Sequence, residues 1–212
     1  MKRKFQHIAY LLMVAAVLTS CGEKKQISEF PDWAWADFQR PEGINPIVSP
    51  DTTTVFYCPM RQDSVAWESS DTFNPAATIY DGKVVVLYRA EDNSAVGIGS
   101  RTSRLGYDYS DDGLHFNRMT VPVFYPADDN QKELEWPGGC EDPRVAVTND
   151  GLYVMLYTQW NRKQARLAVA TSRDLQIWEK YGPAFAKAYG GRFFDEFSKS
   201  ASIVTKLVDG KQ

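Results

Sequence analysis

With 212 residues, 43% hydrophobic and 24% charged, the chain is long enough for one sizeable core and has the composition of an ordinary globular protein. A net charge of −3 and the lack of a basic tract argue against a nucleic-acid partner. Two histidines and three cysteines without a CxxC pair give no zinc pattern, so no metal is expected.

Residues 1–20 read as a lipoprotein signal peptide. Lys2, Arg3 and Lys4 form a positive head, and the apolar run from Ile8 to Leu18 is too short for an ordinary transmembrane helix. Leu18-Thr19-Ser20-Cys21 has the small residues and the thiol of a bacterial lipobox. Cys21 is therefore the expected lipidation site, which anchors the protein to a membrane of the cell envelope. Residues 21–37 read as a tether, with Trp33 and Trp35 closing one end of a core. The other two cysteines, Cys58 and Cys140, are able to pair in an oxidising compartment, though their spacing does not require it.

Residues 38–212 read as one all-β domain. Phe73–Tyr80 is a strand, Asp81-Gly82 a tight turn and Lys83–Arg89 the return strand. Ser103–Ser110 follows, Asp111-Asp112-Gly113 turns it, and Leu114-His115-Phe116 opens a fourth strand. The order then repeats. Glu141–Val147 leads to Asn149-Asp150-Gly151, Leu152–Thr158 returns, Ala165–Ser172 follows, and Arg173-Asp174-Leu175 turns into Gln176–Glu179. A third round opens at Lys199–Val204 with Asp209-Gly210 as its turn.

Four strands per repeat is the pattern of a β-propeller blade. A sandwich of short strands, the competing all-β reading, does not predict the matched internal order. Blades share an axis, so the residues opening each first strand should converge at one end of a channel. These are Asn74-Pro75, Glu141-Asp142-Pro143-Arg144 and Lys199-Ser200. Only about three blades are present and a closed propeller has at least about four, so the chain is expected to be incomplete at its C-terminus.

Several ordered motifs together resemble glycoside hydrolase family 130. They are Asn74-Pro75-Ala76, Tyr88-Arg89-Ala90-Glu91-Asp92, Arg104-Leu105-Gly106, Ser110-Asp111-Asp112-Gly113 with Phe116, Gly139-Cys140-Glu141-Asp142-Pro143-Arg144, and Arg166-Leu167-Ala168 with Ser172, Asp174-Leu175 and Trp178. The resemblance implies a five-bladed β-propeller that cleaves β-mannosides with inversion, by phosphorolysis or by hydrolysis. It also implies that Asp142 is the proton donor, with the proton relayed through a mannose hydroxyl. The departing sugar oxygen needs such an acid.

Around Asp142, the expected substrate-binding residues are Asn74, Arg89, Glu141 and Arg144. Arg166 and Lys199 are the expected phosphate cradle if the enzyme is a phosphorylase. Glu196 is the late carboxylate nominated as a base. Asp108 and Asp112 are assigned to turns, His115 to structure, Cys140 to a small buried filler, and Arg162 and Arg192 to solvated charge. No cofactor is expected, with inorganic phosphate a co-substrate only for phosphorolysis, and the partner is an oligosaccharide. An envelope lipoprotein that made a sugar phosphate would release it outside the cytoplasm, which favours hydrolysis. The competing reading is a non-catalytic glycan-binding propeller lipoprotein.

Overall fold

A computed structural model of the chain describes residues 39–206 and 209–210. The signal segment, Cys21, the tether, Trp33 and Trp35 lie outside the described residues. The elements described all belong to one compact unit, Pro41–Gln212. They open with a short hairpin, β1 (Phe56–Cys58) and β2 (Asp63–Val65), which the sequence did not announce.

The first repeat comprises β3 (Asp71–Tyr80), β4 (Lys83–Glu91), β5 (Ser103–Ser110) and the two-residue β6 (Asn117–Arg118), paired antiparallel in that order. Asp81 and Gly82 both take positive φ, 49° and 73°, so the turn between β3 and β4 is the tight two-residue type that matches strand twist. A four-residue helix, α1 (Lys132–Glu135), leads to the second repeat. This is β7 (Gly139–Val147), β8 (Tyr153–Trp160), β9 (Ala165–Ser172) and β10 (Glu179–Pro183), again a consecutive antiparallel meander.

The two meanders join through one parallel residue pair, Ser103 with Gly139, to give an open eight-stranded sheet. A Cβ on Gly139 would lie 2.2 Å from the Ser103 carbonyl oxygen, and its φ is 116°. Only glycine lets the strands meet there. The third repeat is not formed as expected: Lys199–Val204 is not a strand. A strand needs a ladder partner, and no second strand pairs with this segment among the described residues. The Asp209-Gly210 turn does show the paired positive φ of Asp81-Gly82, at 51° and 72°.

The strand β4 is buried on both faces, and its alternation assigns each side chain a direction. Val86, Tyr88 and Ala90 pack with Phe56, Cys58 and Trp67 under the β1–β2 hairpin. Val85 and Leu87 face the second meander, where Met155, Tyr157, Ala168 and Ala170 complete the larger core. Arg89 and Glu91 continue this second face by the two-residue period, so Arg89 is aimed at the start of β7.

One polar device occurs twice. The Tyr88 hydroxyl donates to buried Glu68 at 2.8 Å, and Arg118 from the fourth strand stands 3.5 Å from the same carboxylate. In the second meander the Tyr157 hydroxyl donates to buried Glu135 at 2.8 Å, and Lys180 from the fourth strand reaches it at 2.5 Å. Each carboxylate precedes its meander and clasps the second strand to the fourth. Turns are duplicated too. The Asp112 carboxylate accepts from the Leu114 and His115 amides, and Asp174 from the Gln176 and Ile177 amides. His115 bonds Asp112 in this exposed turn.

Asp108 is not a turn residue. It is 1% exposed in β5, beside Glu68 and 3.8 Å from the Arg118 guanidinium. Cys58 and Cys140 are free thiols in different core clusters, so they do not pair.

Candidate active site

The site is built where the first strand of each meander bulges. In β3 the register slips between Phe73 and Ala76, and Asn74 takes φ 47°. In β7 it slips between Glu141 and Arg144, and Asp142 takes φ 51°. Positive φ in a non-glycine residue is uncommon, and Asn and Asp tolerate it best. The following prolines, Pro75 and Pro143, lack the N–H that a continuous ladder would need. The bulge also breaks side-chain alternation, so Glu141 and Asp142 present both carboxylates to the same cation.

That cation is Arg89. Its guanidinium lies 2.9 Å from Glu141, 3.1 Å from Asp142 and 2.6 Å from Glu91. Its Nε donates to the Ser103 hydroxyl at 3.0 Å, and the guanidinium rests 4.6 Å from the centre of the Phe73 ring. Asn74 donates its amide to the Asp142 carboxylate at 2.9 Å. Lys199 reaches Glu141 at 2.8 Å and Asp142 at 3.6 Å. The three strand-opening segments thus converge.

The two carboxyls are pushed apart. Burial raises Asp142, but the Asn74 amide, Arg89 and Lys199 together outweigh it and hold it below the ordinary carboxylate value. Burial raises Glu141, and Arg89 and Lys199 do not fully offset it. In the free protein Asp142 is thus the more readily ionised of the pair and Glu141 the more readily protonated. Cys140, next in the chain, is fully buried, and burial lifts its thiol well above the usual range. It is not an activated nucleophile.

The other nominated residues stand apart from this cluster. Arg144 donates to its neighbour's carbonyl, that of Pro143, at 2.7 Å, and lines a cleft of about 240 Å³ with Pro75, Ala76, Ser202 and Ile203. The arginine that pairs with Asp142 is Arg89. Arg166 bonds the Phe194 carbonyl and the Asp195 carboxylate, at 3.0 and 2.9 Å. It matches Arg104 of the first meander, which pairs with Asp92 at 2.9 Å. The repeated Arg-Leu step is thus a structural pair in both meanders. Glu196 is exposed, and its amide donates to the Phe193 carbonyl in a local turn. Arg162 and Arg192 are exposed.

Sequence reading gave no site role to Glu91 or Ser103, which hold Arg89 from behind. Glu91 is fully buried, and its other side faces Arg101 at 3.5 Å. The signal was available: Glu91 lies two positions from Arg89 on one strand face. Among the described residues, no group of three His, Cys, Asp or Glu is arranged to hold a metal ion.

Comparison with known proteins supplies context for this geometry. Residues 39–211 match a family model described as beta-1,4-mannooligosaccharide phosphorylase. A 1,2-beta-oligomannan phosphorylase from Thermoanaerobacter sp. (strain X514) is 36% identical over 149 residues, which cover 68% of this chain and 45% of that protein. A crystal structure from Bacteroides thetaiotaomicron VPI-5482 is 99% identical with a TM-score of 0.82, covering 87% of this chain and 53% of that one. Another solved structure, 68% identical with a TM-score of 0.82, covers 86% of this chain and 51% of that one. It is described with mannoside-phosphorylase family members that are glycoside hydrolases targeting beta-1,2 mannosidic linkages in Candida mannan. The chain spans about half the length of these relatives.

Proposed function

The chain belongs to glycoside hydrolase family 130, and on that footing we propose that the full protein cleaves β-mannosides with inversion, Asp142 serving as the proton donor. The observation that carries this reading is the setting of Asp142. A strained bulge presents it, Asn74, Arg89 and Lys199 hold it, and it stays 8% exposed. Arg89, Asn74, Glu141 and Lys199 would bind the sugar or orient the acid. Arg144, which lines the neighbouring cleft, would bind a further part of the sugar.

Within this reading we favour hydrolysis of β-1,2-mannosides. The 68% identical structure belongs with hydrolases of that linkage. The cations nearest Asp142 are already neutralised: Arg89 faces Glu91, Glu141 and Asp142, and Lys199 faces Glu141. Arg166 would have to leave Asp195 to meet a phosphate. Phosphorolysis is the second reading, favoured by the description of the matching family model and by the 36% identical relative. The anchored cell-envelope location proposed from Cys21 argues for hydrolysis, since a sugar phosphate made there is lost to the cytoplasm.

The finer fold proposal is a five-bladed propeller with the two meanders as successive blades. Their matched order, bulges, clasps and turns support it. The deciding experiment incubates full-length protein with β-1,2- and β-1,4-mannobiose, with and without inorganic phosphate. Mannose release without phosphate is expected, and strict phosphate dependence would replace hydrolysis with phosphorolysis.

A further inference from the structure

The carboxylates around Arg89 outnumber the cations that touch them from the strand mouths. Glu91, Glu141 and Asp142 all meet the Arg89 guanidinium, at 2.6, 2.9 and 3.1 Å. Lys199 adds a second cation, and its contacts are with Glu141 and Asp142. Three buried carboxylates against two cations leave Glu91, which is fully buried, short of a partner. An uncompensated charge at that depth is costly.

Glu91 spends one oxygen, Oε1, on Arg89 and on the Ser103 hydroxyl, which donates to it at 3.2 Å. Its Oε2 is buried and accepts no hydrogen bond among the described residues. The group that stands against Oε2 is the Arg101 guanidinium, 3.5 Å away. Arg101 belongs to the loop between β4 and β5, and several contacts fix it there. Its Nε donates to the Ala95 carbonyl at 3.3 Å, and its Nη1 donates to Asp71, the residue opposite Glu91 on β3. Asp92 pins both ends of the loop by accepting from the Ser94 and Thr102 amides at 3.0 and 3.3 Å. Arg104, the other buried arginine of this region, is taken by Asp92 at 2.9 Å.

We infer that Arg101 is a positioning residue: it balances the rear oxygen of Glu91, and Glu91 in turn steadies Arg89 against Asp142. The inference rests on the β-mannoside reading of the site and gives Arg101 no part in proton transfer. The plain alternative is that Arg101 only pairs with the partly exposed Asp71, a contact of little weight.

The test separates the two carboxylates. In full-length protein cleaving β-mannobiose, Arg101→Met should lower kcat/KM about 10- to 100-fold, the weight of one contact to a buried charge. Adding Glu91→Gln removes the charge that needs balancing while keeping an oxygen for Arg89. The double variant should therefore exceed Arg101→Met by at least about 3-fold, a coupling that independent sites do not show. Asp71→Asn should leave kcat/KM unchanged. Wild-type kcat/KM in Arg101→Met overturns the inference. So does a loss that Glu91→Gln does not relieve, or one that Asp71→Asn reproduces, because Arg101 would then serve the loop and not Glu91. If Arg101→Met does not fold, recovery of folded, active protein in the double variant is expected, and failure to recover it overturns the inference. Any of these failures alongside wild-type turnover leaves the β-mannoside reading standing. A wild type that never cleaves mannobiose overturns both.

Discussion

The proton on Asp142 is governed by the side chains that touch it. Asn74 is the strongest of the groups that lower its pKa. Asn74→Ala should therefore raise it. A general acid works only while protonated, so the alkaline limb of kcat/KM should move to higher pH in this variant, as a pH–rate profile of full-length protein would show. Asp142→Asn cannot donate a proton. It should lower kcat on the order of 10²- to 10⁴-fold while mannobiose binding persists in calorimetry. These residues were legible because polar groups at the mouth of a strand are conspicuous in sequence. The carboxylate that Arg166 meets, Asp195, was not legible, because it lies 29 positions away and only the fold brings the two together. Glu91 was given no site role because an acidic residue at a strand end reads as solvated, and only the fold buries it against Arg89.

The long strands were legible almost end to end, but the fourth strand of each repeat was expected too early: it forms at Asn117–Arg118 and Glu179–Pro183, while Leu114–Phe116 and Gln176–Trp178 belong to the turns before it. β-branched runs, two-residue alternation and Asp-Gly turns fixed β3, β4, β5 and β9 within a few residues. β1 and β2 were not, since three-residue strands around Cys58 carry no period to read. The bulges were visible only as Asn-Pro and Asp-Pro steps, and their register slip had to come from the structure. Two element-scale substitutions test the packing. A Cβ on Gly106 would sit 2.2 Å from the Tyr88 ring, so Gly106→Ala should destabilise the protein by about 1–3 kcal/mol in denaturant unfolding. Glu135→Gln leaves Lys180, 11% exposed, without its main carboxylate partner. A loss on the order of 3–5 kcal/mol is expected, measured the same way.

For the whole molecule, buried carboxyls set how stability responds to pH. Burial lifts Asp108 from 3.8 to about 7, and it lifts Glu68 beside it. Below the ordinary carboxylate range Asp108 is protonated whether folded or not. As pH rises, the unfolded chain ionises first, so stability falls until pH passes about 7 and then levels off. Asp108→Asn should flatten this decline, giving a melting temperature that changes less between about pH 4 and 7 than the wild type's. The overall all-β repeat was readable from the chain, while the failure of Lys199–Val204 to form a strand was not, because a strand exists only with its partner. The duplicated clasp has a bearing on synthesis. Glu68 leaves the ribosome first, Tyr88 second and Arg118 last, and Glu135, Tyr157 and Lys180 follow the same order. Each buried acid thus waits for a cation carried by the final strand of its own repeat. A nascent meander can fasten this clasp only when that strand has emerged, and the clasp itself draws on no residue encoded downstream. The rest waits: the inner face of the first meander and the Arg89 cluster close only when the second meander has been made.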